Sequence, residues 1–202
     1  MGSSSLLIEY PKGAIDQLVT LIGQAGKRPL LVGIDGPGGA GKSTLARYLV
    51  GRLNCPAVVV QGDHFYRDMP EDERLSLDAR EGMMQYFDWQ RLRHQVLEPV
   101  ATGERVMRYQ RYDWDAAGMG GWVEVPMPDV VVVEGVYMLR PELRDLVDVK
   151  AFVDANEEVR LQRQAGRGEN TDDWIKRWAA AEDLYLSEVA PRSLADILIG
   201  GA

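Results

Sequence analysis

The stretch Leu30-Leu31-Val32-Gly33-Ile34-Asp35, running directly into Gly36-Pro37-Gly38-Gly39-Ala40-Gly41-Lys42-Ser43-Thr44, decides the fold. A short aliphatic run closed by a glycine-rich turn predicts a strand buried on both faces. The stripe Leu45, Ala46, Leu49, Val50 and Leu53 that follows has the period of a helix. Strand, glycine turn and helix form the setting in which G-x-x-x-x-G-K-[ST] cradles phosphate. Glycines let the backbone turn several N–H groups inward, and the helix adds the positive end of its dipole. Lys42 supplies a mobile charge for β and γ phosphates, and the Ser43 hydroxyl suits Mg²⁺. The segment Gly36 to Thr44 is therefore expected to bind a nucleoside triphosphate.

Outward from this stretch, four further aliphatic runs alternate with helical periodicity: Ala57 to Gln61, Asp129 to Glu134, Val147 to Val153 and Ala195 to Ile199. The alternation predicts an α/β fold with a five-stranded parallel sheet. Ile15, Leu18, Val19, Ile22 and Ala25 make one covering helix, and Trp174, Ile175, Trp178, Ala181 and Tyr185 another. Asp154 with Glu157 predicts a capped start for a helix carrying Arg160 and Arg163. About residues 66–121 break the rhythm and are expected to form a substrate-binding insertion, with a helix from Asp88 to about Ala101 and a hairpin around Arg105 to Trp114. No linker or repeat divides the 202 residues, so residues 1–202 are expected to form a single domain.

Composition narrows the partners. The chain has 31 acidic residues against 23 Lys plus Arg and a net charge of -8, which disfavours attachment to a nucleic acid polymer or an anionic membrane. The longest aliphatic runs are far too short to span a bilayer. The single cysteine, Cys55, cannot pair within the chain and reads as inert packing, so a reducing, cytoplasmic setting is expected. Gly2-Ser-Ser-Ser5 is set aside from fold reasoning. Oligomeric state is left open, a homo-oligomer included.

A triphosphate site serves switches, motors and kinases alike. The chain lacks an Asn-Lys-x-Asp guanine-reading motif and has little room for motor machinery. A kinase needs an acceptor-side base, metal support and arginines for the transferred phosphoryl. Asp63 follows the second strand, at the sheet edge where ligands bind in open α/β folds, and is the candidate base. Glu134 ends an all-valine run at the level of the phosphate loop and can orient a Mg²⁺-bound water beside Ser43. Arg160, Arg163 and Arg167 fall in a lid of about residues 160–171. His64 either touches the acceptor or is structural, and His94 reads as solvent-facing.

Taken together, Gly36 to Thr44, Asp63-His64-Phe65-Tyr66, Phe87-Asp88-Trp89, Tyr112-Asp113, Val132-Val133-Glu134-Gly135, Arg160-Leu-x-x-Arg163 and Val189-x-Pro191 with Ala195 to Ile199 resemble the uridine kinase and phosphoribulokinase group of P-loop small-molecule kinases. The resemblance implies a three-layer P-loop kinase fold, ATP and Mg²⁺ as cofactors, and a nucleoside-like small-molecule acceptor. It implies Asp63 as catalytic carboxylate, Tyr66 beside the nucleoside, and Tyr112 with Asp113 holding base or ribose. Uridine kinases carry a base-recognising histidine downstream of the Tyr-Asp motif and a longer lid. Here Trp114-Asp115-Ala116-Ala117 follows, no histidine lies beyond His94, and Gln164 and Gly168 interrupt the arginine pattern. The alternatives are therefore a kinase of another small alcohol, such as a sugar, a pantothenate-like molecule or a specialised metabolite, or an inactive nucleotide-binding regulatory module.

Overall fold

In a computed structural model that describes residues 10, 11, 13–165 and 172–201, the valine-rich runs pair as a five-stranded, fully parallel sheet. Its strands are β1 (Leu30–Asp35), β2 (Ala57–Gln61), β5 (Val130–Glu134), β6 (Val149–Ala155) and β7 (Ile197–Gly201), in the order β2-β5-β1-β6-β7. Strand alternation splits β1 and β5 between two cores. Leu30, Val32, Ile34, Val130 and Val132 face α1 (Ala14–Gln24) and α2 (Lys42–Arg52), with Leu18, Ile22, Leu45 and Leu49 filling that layer. Leu31, Val131 and Val133 face the opposite side, where α6 (Glu98–Thr102) and α8 (Asp172–Glu188) contribute Val100, Trp174, Ala181 and Tyr185. Helices on both faces explain why β1 is apolar up to its terminal Asp35, with all six of its residues buried.

Between β2 and β5 lie α3 (Glu71–Ser76), α4 (Ala79–Gln85), α5 (Trp89–Leu92), a π-helical turn (Arg93–Leu97), α6, and an antiparallel hairpin of β3 (Val106–Asp113) and β4 (Gly118–Pro126). The expected helix from Asp88 is present, but a π turn interrupts it. The hairpin is longer than expected. Its return strand runs through Pro126 because alternating Trp122, Val123, Glu124 and Val125 pair with β3, so the insertion extends past residue 121. Helices α3 and α4 were hidden by charge density. Asp78 nonetheless closes a capping box with Glu81, its side chain accepting from Glu81 N at 2.8 Å while Asp78 N donates to Glu81 Oε2 at 3.0 Å.

Three sequence expectations are corrected. Strand β6 begins two residues after Val147 and runs through Ala155, and β7 begins at Ile197. Because Asp154 lies inside β6, it does not cap α7 (Glu157–Ala165). Its carboxylate pairs instead with Arg192. Asn156 takes the cap position, its side-chain oxygen accepting from Glu158 N at 2.9 Å. Among the described residues no helix is long and apolar enough to cross a membrane.

Candidate active site

The phosphate loop hangs from the C-terminal end of β1, the middle strand, and feeds α2. Gly36, Gly39 and Gly41 all take positive φ. At Gly39 the need is also spatial, since a Cβ there would lie 2.6 Å from the carbonyl oxygen of Arg160. A bare backbone lets α7 rest directly on the loop. Lys42 is buried and its Nζ donates to the carbonyl of Pro37 at 2.9 Å. The hydroxyl of Tyr10 fastens the other end, donating to Gly41 O at 2.7 Å.

Beneath the loop sits a carboxylate that the sequence reading passed over. Asp35 is fully buried at the end of β1. Its Oδ1 accepts from Gly36 N at 2.6 Å, and its Oδ2 accepts from Leu139 N at 2.7 Å and from the Tyr185 hydroxyl at 2.5 Å. Burial pushes its carboxyl up to about 6, against the pull of these three donors and of Lys42. The clue was in the sequence: a charged residue terminating a strand with no solvent-facing side must have buried partners.

Glu134 ends β5, in register with Ile34 of β1 and Gln61 of β2. Gly62 then allows the chain after β2 to pass close by, since a Cβ there would lie 2.9 Å from Glu134 O. This brings exposed Asp63 next to buried Glu134. Burial raises the Glu134 carboxyl, Lys42 opposes that, Asp63 adds to it, and the Ser43 hydroxyl lowers it by hydrogen bonding. Lys42, Ser43, Asp63 and Glu134 thus share one electrostatic neighbourhood. Oxygen donors at Ser43 and Glu134 fit Mg²⁺, which binds through one or two carboxylates and keeps its waters and phosphate oxygens. Among the described residues no group of three or more His, Cys, Asp or Glu side chains could hold a metal by itself.

Just past the end of β2, Asp63 to Phe65 lie on a 3₁₀ turn held by Arg91. The Arg91 guanidinium donates to the carbonyls of His64 (3.1 Å), Tyr66 (2.7 Å) and Gln110, stacks over Phe65 at 5.0 Å, and pairs with Asp88 at 3.2 Å. His64 stacks on Tyr109, and burial and nearby Arg111 lower its imidazole despite Asp63. The rings of Tyr66 and Tyr112, both expected to hold the acceptor, lie with centroids 5.6 Å apart, and both are buried. Trp114 (4.7 Å), Trp178 (5.8 Å) and Trp174 (6.0 Å) enclose the Tyr66 ring, and Arg74 lies 5.1 Å over it. Asp113 caps the hairpin turn by accepting from Asp115 N (3.0 Å) and Ala116 N (3.1 Å). His94 is exposed and contacts Glu98 at 2.7 Å, far from this cluster in role.

The expected lid is represented by α7. Arg163 Nη1 donates to Gly39 O at 3.2 Å, and Arg160 Nη1 donates to Glu182 Oε1 at 3.2 Å. Arg167 and the rest of the lid after residue 165 lie outside the described residues. Arg91 and Glu182, both missed from sequence, had weak signals: an Arg three places after a helix-starting Asp, and a lone acid inside an apolar helical stripe.

The family model described as "Phosphoribulokinase / Uridine kinase family" matches residues 31–200. A uridine kinase of Leuconostoc citreum (strain KM20) is 32% identical over 181 residues, covering 82% of this chain and 80% of that one. A uridine kinase of Limosilactobacillus reuteri (strain DSM 20016) is 29% identical over 189 residues, covering 87% and 85%. Among solved structures, a possible uridine kinase from Bacillus stearothermophilus superposes with a TM-score of 0.71 at 25% identity, covering 93% of this chain and 97% of that one. The phosphoribulokinase from Rhodobacter spheroides shares the fold, with a TM-score of 0.61 at 18% identity.

Proposed function

Since the chain belongs to the phosphoribulokinase and uridine kinase family of P-loop kinases, we propose that it transfers the γ-phosphoryl group of ATP to a primary hydroxyl of a small polar acceptor, a pyrimidine nucleoside such as uridine or cytidine. The single observation that carries this reading is the approach of β2 to β5 at Gly62, which sets Asp63 beside Glu134 at the sheet edge that bears the phosphate loop. A carboxylate so placed accepts the hydroxyl proton as the oxygen attacks phosphorus. Lys42 and the loop amides hold the β and γ phosphates, and Arg160, Arg163 and Arg167 neutralise charge on the transferred group. Ser43 and Glu134 would hold Mg²⁺, which would supply positive charge to offset that of the phosphate oxygens. Tyr66, Tyr112, His64 and Asp113 shape the acceptor side, His64 where it stacks on Tyr109 and Asp113 through the hairpin turn it caps. The partner is a small molecule, and the acidic, cytoplasmic-type chain needs no polymer or membrane.

One observation favours a second reading, a kinase of a different small alcohol. Trp114, Trp174 and Trp178 close over Tyr66, and no histidine follows His94 to read a base. The deciding experiment incubates the purified chain with Mg-ATP and uridine, cytidine, other nucleosides, sugars and pantothenate-like alcohols, with mass spectrometry of products. Uridine or cytidine 5′-monophosphate is expected. Product only from a sugar or other alcohol would replace the nucleoside assignment. ATP binding with no product from any acceptor would leave a regulatory module.

A further inference from the structure

Glu182 is buried on α8, yet it points at the phosphate loop, where a second anion is the last group that charge alone would place. Its two oxygens have separate tasks. Oε2 accepts from the backbone N–H of Gly38 at 2.9 Å, and Oε1 accepts from Arg160 Nη1 at 3.2 Å. The pair is well shielded, with the Glu182 side chain 4% and the Arg160 side chain 17% exposed. Its carrier is also fixed, because one helical turn further along α8 the Tyr185 hydroxyl bonds Asp35 under the loop at 2.5 Å. A carboxylate held from below, gripping the loop with one oxygen and an arginine of α7 with the other, is a bracket between three elements.

We propose that Glu182 is a positioning residue, which holds Arg160 over the phosphate loop so that its guanidinium engages the terminal phosphate of ATP without first having to be ordered. Long cationic side chains lose rotamer freedom when they bind, and a group restrained beforehand is spared much of that loss. The charge balance agrees with this role. Arg160 neutralises the carboxylate, so the pair presents no net negative charge to the triphosphate, and with Nη1 on Glu182 and the buried Nε without a hydrogen-bond partner the guanidinium retains donor capacity. The assignment rests on the kinase reading for what Arg160 engages, but its test needs only nucleotide binding and no acceptor.

Glu182→Gln separates the two tasks. The amide carbonyl still accepts from Gly38 N–H, while the amide NH₂ can no longer hold Arg160. Mg-ATP and Mg-ADP affinities of the wild type, Glu182→Gln, Arg160→Met and the double variant are measured by calorimetry, with circular dichroism to establish folding. The expected result is a loss of about tenfold in ATP affinity in Glu182→Gln, the scale of one charge-assisted hydrogen bond, with ADP affinity within about twofold of wild type. The double variant should be no worse than Arg160→Met alone. Equal losses for ATP and ADP would mean a purely structural role, tighter ATP binding would mean that the carboxylate competes with phosphate, and multiplied losses would mean independent residues. Each overturns the proposal. Should Glu182→Gln fail to fold, Arg160→Met must still lose ATP selectively, and equal behaviour toward both nucleotides overturns it. If the acceptor panel gives no product while these affinities behave as expected, the kinase reading fails and the role of Glu182 in nucleotide binding stands.

Discussion

The phosphate loop and the proposed acceptor side of the site are built on opposite plans. The first comes almost entirely from one contiguous stretch, β1 through Ser43, and works mainly through backbone N–H groups whose directions follow from glycine dihedrals. The second is assembled from side chains of the 3₁₀ turn, α3, α5, β3 and α8, with Arg91 binding three carbonyls and the aromatic rings of Tyr66, Tyr112, Trp114, Trp174 and Trp178 packed together. A triphosphate is the same in every partner, so a fixed backbone cradle suffices. Acceptors differ, and a surface of side chains from many elements can be altered one position at a time. The two sides meet where β2 and β5 end, at Asp63 and Glu134, and again along α8, which carries Trp174 and Trp178 on one side and Glu182 and Tyr185 on the other.

The sharpest way to break this comparison is Asp63→Asn. Turnover should fall by roughly 10² to 10⁴, the usual contribution of a positioned general base, while Mg-ATP affinity by calorimetry stays at the wild-type value. A parallel loss of ATP binding would show that the two sides are not separable. Next in size is Arg91→Met. It leaves the carbonyls of His64, Tyr66 and Gln110 without their donor and Asp88 without its partner, which should cost about 3–5 kcal/mol in urea unfolding, as removal of one member of a buried charge network does. Acceptor KM should rise in the fraction that folds, with ATP affinity unchanged.

The smallest effect belongs to the phosphate side. Tyr185→Phe removes one hydrogen bond from Asp35 and should cost about 1 kcal/mol. That bond favours the ionised carboxylate, so its loss should move the Asp35 titration, followed by carboxyl NMR, upward from about 6. The sign for stability follows. Folded Asp35 holds its proton more tightly than the unfolded chain does, so its contribution is full at pH below the ordinary carboxylate value and is lost as pH rises to about 6. In Tyr185→Phe the loss extends to higher pH. A titration that stays put would mean that Leu139 and Gly36 alone set it.

This contrast also explains what was legible in the sequence. The loop could be read because its spacing is its mechanism: each glycine and Lys42 acts at a fixed offset along the chain. Strands β1, β2 and β5 were equally plain, since a strand covered on both faces has to be aliphatic throughout. The ends of β6 and β7 were displaced by two residues because Val147 and Ala195 continue the apolar pattern while already outside the ladder. Beyond their neighbours Gly36 and Asp88, Asp35 and Arg91 act, like Glu182, on groups 19 or more residues away, and such pairings leave no period to detect. Tyr66 and Tyr112 were identified, but not that Trp114, Trp174 and Trp178 would enclose Tyr66.

Strands β2 and β5 are direct neighbours in the sheet, and everything between them, from Gly62 to Asp129, is a single crossover. Such an arrangement is portable at the level of the gene: one block, cut at two points, carries most of the proposed acceptor side. It is not wholly self-contained. Helix α4 packs along α8, Arg177 donates to the carbonyl of Leu77 at 3.1 Å, and the Tyr66 ring lies against Trp174 and Trp178. A chimaera that exchanges only the crossover would inherit a mismatched wall. Lineages that change acceptor through this block must change α8 with it, and α8 also carries Glu182 and Tyr185 into the phosphate loop. A change on the proposed acceptor side is thereby coupled, through α8, to the bonds that hold the phosphate loop.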